Sequence, residues 1–145
     1  MTVVNSAATP VDAVVMAAAV TDWKPAVRAR AKMKRKEGWN LHLVPTRDIL
    51  AEVCRRRKAS QYIIGFALET HRMVLHGVEK FRNKGADCII ANTPAFFGSG
   101  RSGKAAIILH DRVRLLSRTT KARVAAQVVG LIARQLARHR TARRN

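Results

Sequence analysis

The chain has 145 residues, 28 Lys+Arg against 9 Asp+Glu, a formal net charge of +19 with histidines neutral, and 48% hydrophobic content. That is the size of a single domain with enough apolar residues for a core, so intrinsic disorder is excluded. No apolar run approaches the ~18 residues that a membrane-spanning helix needs, and no Lys or Arg precedes Lys24, so neither a membrane anchor nor a secretory signal is expected.

In chain order, the first expected element is a strand at Ala13 to Met16, followed by a run of small residues from Ala17 and a lone carboxylate, Asp22. Small side chains after a strand let a ligand approach the backbone, although a plain tight turn has the same composition. A basic stretch runs from Lys24 to Glu37, and a short strand is expected at Leu41 to Val44. Asp48 is placed to cap a helix reaching about Arg56, with Ile49, Leu50 and Val53 on one face. Tyr62 to Ala67 is a continuous apolar run of strand length. A helix from about Arg72 to Lys84 follows, with Val74, Val78 and Phe81 aligned, and then a strand at Cys88 to Ala91. Asn92 to Gly103, with Pro94 and glycines, reads as a loop. Strands at Ala105 to Leu109 and Val113 to Leu116 form a hairpin through Asp111. A closing helix from about Lys121 to Arg138 presents Val124, Val128, Leu131 and Leu136. Residues 1–138 are taken as one domain portion and 139–145 as a basic tail. The alternation implies an α/β fold: a Rossmann-like, mostly parallel sheet flanked by helices, with a small antiparallel hairpin near the C-terminus. In such sheets ligands sit beyond the carboxyl ends of the strands.

The charge is clustered at Lys32 to Lys36, at Arg55 to Lys58 and after Asp111, where ten Lys/Arg face no acid. Such clusters are the footprint of a nucleic-acid binder. A basic α/β protein binding RNA or DNA through its Arg-rich surface is therefore the alternative reading. Against it, no Phe, Tyr or Trp follows Phe97 to stack on bases, and a solvated basic face is the commoner meaning of such runs. Cys54 and Cys88 have neither a CxxC partner nor histidines at metal spacing, and read as reduced thiols. The run from Gly98 to Lys104 satisfies GxGxxG and nearly satisfies a phosphate-binding P-loop. Both motifs require a helix opening at the last glycine, whereas a strand follows here. No residue is assigned as a metal ligand.

Together AAVTDWKP (Ala18 to Pro25), KMKR (Lys32 to Arg35), DIL (Asp48 to Leu50), IIGFALET (Ile63 to Thr70), Lys80, Lys84 and ADCIIAN (Ala86 to Asn92) resemble, in order and spacing, the motifs of phosphopantothenate-cysteine ligases. In bacteria this ligase is commonly the carboxyl-terminal part of the bifunctional coenzyme A flavoprotein. The resemblance implies CTP-dependent ligation of cysteine to 4'-phosphopantothenate through an acyl-cytidylate, with magnesium, in coenzyme A biosynthesis. It further implies a cytoplasmic homodimer and association with an FMN-binding phosphopantothenoylcysteine decarboxylase domain. By similarity, Ala17 and Ala18 offer backbone to the nucleotide and Asp22 holds it. Asp48, Ile49 and Leu50 line the pocket, and Phe66 packs on the nucleotide. Lys32, with Lys80 and Lys84, neutralises the triphosphate or the departing pyrophosphate, as preorganised cations at a leaving phosphate do. Three features depart from the family. Its glycine-rich GGT and Asn-x-Ser-Ser-Gly-Lys segments have no counterpart in residues 1–11, Thr46 and Arg47 replace an Asn-Pro pair, and the Phe96 to Gly103 loop lacks an acid. An incomplete domain, inactive alone, is the expectation.

Overall fold

A computed structural model describes residues 11–35, 37–96 and 102–142. The elements are β1 (Ala13–Met16), β2 (Trp23–Pro25), β3 (Leu43–Pro45), α1 (Ile49–Arg56), β4 (Tyr62–Leu68), α2 (Met73–Lys84), β5 (Cys88–Asn92), a 3-10 turn at Pro94–Phe96, β6 (Gly103–Ile108), β7 (Val113–Thr119) and α3 (Lys121–Ala142). The chain divides into two units, Ala18–Ile49 and the remainder.

The larger unit holds a five-stranded sheet in the order β1-β4-β5-β6-β7. β1, β4 and β5 are parallel, β6 is antiparallel to β5, and β7 is antiparallel to β6, so every strand but β6 points the same way. The expected Rossmann-like sheet with its terminal hairpin is therefore present, and Leu109 N–H closes the hairpin by donating to Arg112 C=O at 2.9 Å.

Doubled isoleucines dictate the layers. Successive strand residues face opposite sides, and Ile63, Ile64, Ile89 and Ile90 are all 0% exposed, so both faces must be covered. On one face Ile63, Ala67, Ile89, Ala91 and Ile108 pack against Leu50 and Val53 of α1 and Val74, Val78 and Phe81 of α2. On the other, Ile64, Cys88, Ile90 and Ile107 meet Val124 and Val128 of α3. The apolar stripes foreseen for α2 and α3 are the ones that pack. At Gly77 helix and sheet approach so closely that an added Cβ would strike Ile108 Cδ1 and lie 2.9 Å from Ala91 Cβ. At the amino edge Asp87 joins β4 to β5: its carboxylate accepts from Ile63 N–H at 2.7 Å and from Arg57 at 2.5 Å, while its own N–H donates to Ile63 C=O.

Several boundaries differ from expectation. The closing helix does not stop at about Arg138 but runs on to Ala142. After Gly130 nothing breaks the helix, Gln135 and His139 side chains meet at 3.0 Å, and Thr141 Oγ1 donates to Ala137 C=O. Residues 143–145 lie outside the described residues, as do Lys36 and most of the GxGxxG run, residues 97–101. The foreseen loop after Cys88–Ala91 loses Asn92 to β5 and Gly103 to β6 and contains the 3-10 turn.

The smaller unit contains a two-stranded antiparallel ladder, Trp23 opposite Pro45 and Pro25 opposite Leu43. β2 was not foreseen, and the short strand expected at Leu41 to Val44 begins at Leu43. The prolines at the two diagonal ends stand where a missing N–H costs the ladder nothing, the outer bonds being made by Thr46 N–H to Asp22 C=O and Ala26 N–H to His42 C=O; strands of three residues are too short to show an alternating pattern. Among the described residues no helix is long and apolar enough to cross a membrane.

Two outcomes follow from the packing. Gly77→Ala gains helix propensity of about 1 kcal/mol but overpacks against the fixed Ala91 Cβ and displaces the end of the buried Ile108 side chain, at about 1–3 kcal/mol. A net loss of about 1 kcal/mol is expected in urea unfolding, with an unchanged slope. Burial pushes the Cys88 thiol up to about 12, with Asp87 adding to the rise. Burial likewise raises the Tyr62 phenol to about 12, aided by Cys88 and Asp87 and opposed by Arg134 and Arg138. The unfolded groups ionise near 9 and 10, so the unfolded state releases protons first. Stability from these groups is then full below about pH 9 and falls as pH rises towards 12, which denaturant titrations at about pH 8, 9.5 and 11 would register.

Candidate functional site

At the carboxyl edge of the larger unit, β1 ends at Met16, β4 at Leu68 and β5 at Asn92. The chain leaving β4 is held there, because Glu69 N–H donates to Asn92 C=O at 2.9 Å. Glu69 Oε2 lies 3.0 Å from His76 Nδ1, both side chains being mostly covered at 17% and 28% exposure. The His71 ring meets the His76 ring edge-on at 4.9 Å, and His71 Nδ1 lies 3.1 Å from Thr70 Oγ1. Arg72, immediately before α2, takes a left-handed conformation with φ 44°, which is unusual for a residue with a side chain. This polar cluster was not singled out from the sequence. Glu69 and Thr70 close the IIGFALET motif, but only the turn geometry brings His76 back onto Glu69.

The larger unit also holds Ala17, Leu50, Phe66, Lys80 and Lys84. Ala17 is exposed directly after β1. Leu50 packs over Gly65, its Cδ2 lying 2.5 Å from where a Cβ would stand, so its side chain belongs to the core on the α1/α2 face. Phe66 is half-buried on the opposite face, against the α3 layer. Lys80 and Lys84 occupy the second half of α2, half-buried. Because α2 leads from the carboxyl end of β4 to the amino end of β5, Lys84 sits at the end remote from Glu69 and Asn92. The helix's 12 residues correspond to about 18 Å. Leu50, Lys80 and Lys84 thus share a layer, whereas Phe66 does not join them.

The smaller unit holds Ala18, Asp22, Lys32, Asp48 and Ile49. Thr46 N–H donates to Asp22 C=O at 2.8 Å and Thr46 Oγ1 donates to Thr21 C=O at 2.6 Å. These bonds tie the segment bearing Asp22 to the segment that runs through Asp48 into α1. Thr46, one of the departures from the family motif, makes this link with its hydroxyl as well as its backbone. Lys32 is exposed in an irregular stretch between the two strands. Among the described residues no group of three or more His, Cys, Asp or Glu side chains is arranged to hold a metal. Asp22 offers a single carboxylate, a donor set that suits magnesium carried mainly by substrate phosphates.

The sequence model of the family described as DNA/pantothenate metabolism flavoprotein C-terminal domain matches residues 1–136. The chain belongs to this family. A cysteine/cysteine sulfinic acid decarboxylase from an unknown prokaryotic organism is 32% identical over 123 residues, covering 81% of this chain and 34% of that protein. The coenzyme A biosynthesis bifunctional protein CoaBC of Borreliella burgdorferi is 30% identical over 122 residues, covering 82% of this chain and 31% of that protein. Among solved structures, the C-terminal domain of a CoaBC protein superposes with a TM-score of 0.66 at 28% identity, covering 88% of this chain and 56% of that one. The chain thus spans about a third of the length of these curated relatives, and the family fold matches the layers described above.

If Leu50 is primarily a core residue, Leu50→Ala should cost about 2 kcal/mol in thermal or urea unfolding, the low end for buried leucines. A lining residue with no packing role would leave stability unchanged.

Proposed function

We propose that the chain is the nucleotide-binding portion of a phosphopantothenate-cysteine ligase acting in coenzyme A biosynthesis. The observation that carries the reading is the tie between the two motif segments. Thr46 bonds to Thr21 and Asp22, so the backbone after Ala18 and the Asp48 segment form one framework within a single unit. Family membership over residues 1–136 and the name of the Borreliella relative support the same reading.

In this reaction the phosphopantothenate carboxylate attacks the α-phosphorus of CTP and pyrophosphate leaves. The cysteine amine then attacks the acyl carbon of the acyl-cytidylate, the new C–N bond forms, and CMP departs. Magnesium, when bound with the triphosphate, neutralises phosphate charge. The exposed backbone of Ala17 and Ala18 admits close approach of the nucleotide. Asp22 accepts from a nucleotide hydroxyl or holds the phosphate-bound cation, and Asp48, Ile49 and Leu50 border the nucleotide. Lys32, on an exposed stretch without regular structure, is suited to reach the pyrophosphate as it leaves. Lys80 supplements it, while Lys84, farther along α2, adds to the field. Phe66 meets the nucleotide only where a ligand crosses the end of β4. Homodimerisation through the smaller unit agrees with its exposed Trp23 and Trp39, and a cytoplasmic enzyme working beside an FMN-binding decarboxylase domain completes the proposal.

Calorimetric titration of CTP with magnesium into the chain should give saturable binding, weakened about tenfold, or ~1.4 kcal/mol, by Asp22→Asn. Amide formation should appear once a polypeptide carrying the glycine-rich half of the family domain is supplied. Absence of CTP binding with and without that polypeptide would overturn the reading.

A further inference from the structure

The nucleotide role employs three lysines and leaves most of the +19 charge without a partner. From Arg112 onward the chain has ten basic residues, nine of them arginine, and no Asp or Glu. The carboxylates that do form ion pairs in the larger unit are committed elsewhere: Glu52 to Arg56, Asp87 to Arg57 and Glu69 to His76. Asp111, 3.8 Å from Arg112, is the acid nearest in sequence.

The fold gathers these cations rather than scattering them. Arg123, Gln127, Arg134 and Arg138 recur at spacings of 4, 7 and 4 residues, which places them along one face of a 3.6-residue helix. Gln127 anchors the neighbouring strand to that stripe, its Oε1 accepting from Arg114 Nη1 of β7 at 2.9 Å. Arg114 stands opposite Ile107 in the ladder, and Ile107 packs in the α3 layer, so this arginine belongs to the same side of the sheet. From Arg123 to Arg138 the stripe is about 22 Å long. Its three arginines are exposed, and Arg134 and Arg138 are like charges one helical turn apart, an arrangement that disfavours the helix unless an anion compensates.

We infer that this α3/β7 face binds nucleic acid through its phosphate backbone, independently of sequence. Arginine forks match phosphate oxygens in bidentate geometry, and a straight, rigid row of them suits a regularly spaced polyanion. The face lacks aromatic residues, so it reads phosphates and not bases. A membrane surface is disfavoured because the apolar stripe of α3, Val124 and Val128, is buried against the sheet, and the exposed Val129 is too little apolar surface for insertion. An acidic protein partner is disfavoured because no aromatic anchor stands within the stripe.

Fluorescence anisotropy of a labelled DNA or RNA duplex of about 20 base pairs, titrated with the full chain over roughly 50–200 mM salt, tests this. Binding is expected, with affinity falling steeply as salt rises. The triple variant Arg123→Gln/Arg134→Gln/Arg138→Gln should reduce the log–log salt slope for DNA by about 2.7, each phosphate left without its arginine accounting for about 0.9. Arg114→Gln alone should reduce it by about 0.9 and serves if the triple variant unfolds, which circular dichroism would reveal. A matched removal of charge on the other layer, Arg55→Gln/Lys58→Gln/Arg82→Gln, should leave the slope unchanged. No duplex binding at the lowest salt, equal slopes for the two triple variants, or binding to phosphatidylserine vesicles in place of duplexes would each overturn the inference.

Discussion

Three central strands carry paired isoleucines that tolerate water on neither side, and this one constraint organises the larger unit. Ile63–Ile64, Ile89–Ile90 and Ile107–Ile108 send one side chain of each pair to each face. The sheet therefore needs a helical layer on both sides, α1 with α2 on one and α3 on the other. The close approach at Gly77, the Asp87 link across the amino edge and the burial that raises the Cys88 thiol are all consequences of that two-sided cover. With the strands held this way, the carboxyl edge is left to loops, where parallel sheets expose backbone for ligands.

The same constraint separates polar groups by layer. Polar chemistry gathers where β4 and β5 end, with Glu69, His71 and His76 tied together by hydrogen bonding and ring stacking edge to face. In the smaller unit, Thr46 binds the Asp22 segment to the Asp48 segment. The arginines of α3 and β7 lie instead on the outer side of the second layer, remote from the α1/α2 face. Within the larger unit the basic face of α3 and β7 and the polar cluster at the ends of β4 and β5 are built from different elements.

Much of the fold could be read from residues alone. The run Tyr62 to Asn92 spells strand, helix, strand because apolar spacing changes from continuous to helical and back. The closing helix was legible from Val124, Val128 and Leu131, but its end was not, since no glycine or proline follows Gly130 to mark a stop. β2 was invisible because three residues ending in proline form a strand only by pairing with Leu43–Pro45, a partner distant in sequence. For the candidate site, motif order located the segments but not their sides. Phe66 and Gly65 are adjacent in sequence and opposite in space, so Leu50 packs over one while the other faces α3. The Glu69–His76 pair depends on a tight turn with Arg72 in a left-handed conformation, which no periodicity encodes.

Hydrogen–deuterium exchange of the full chain with and without CTP and magnesium tests the central claim most directly. The account predicts slowed exchange on adding CTP in residues 17–22 and 46–50, with residues 113–138 unchanged. Slowed exchange confined to residues 113–138, or none anywhere at saturating nucleotide, would contradict it.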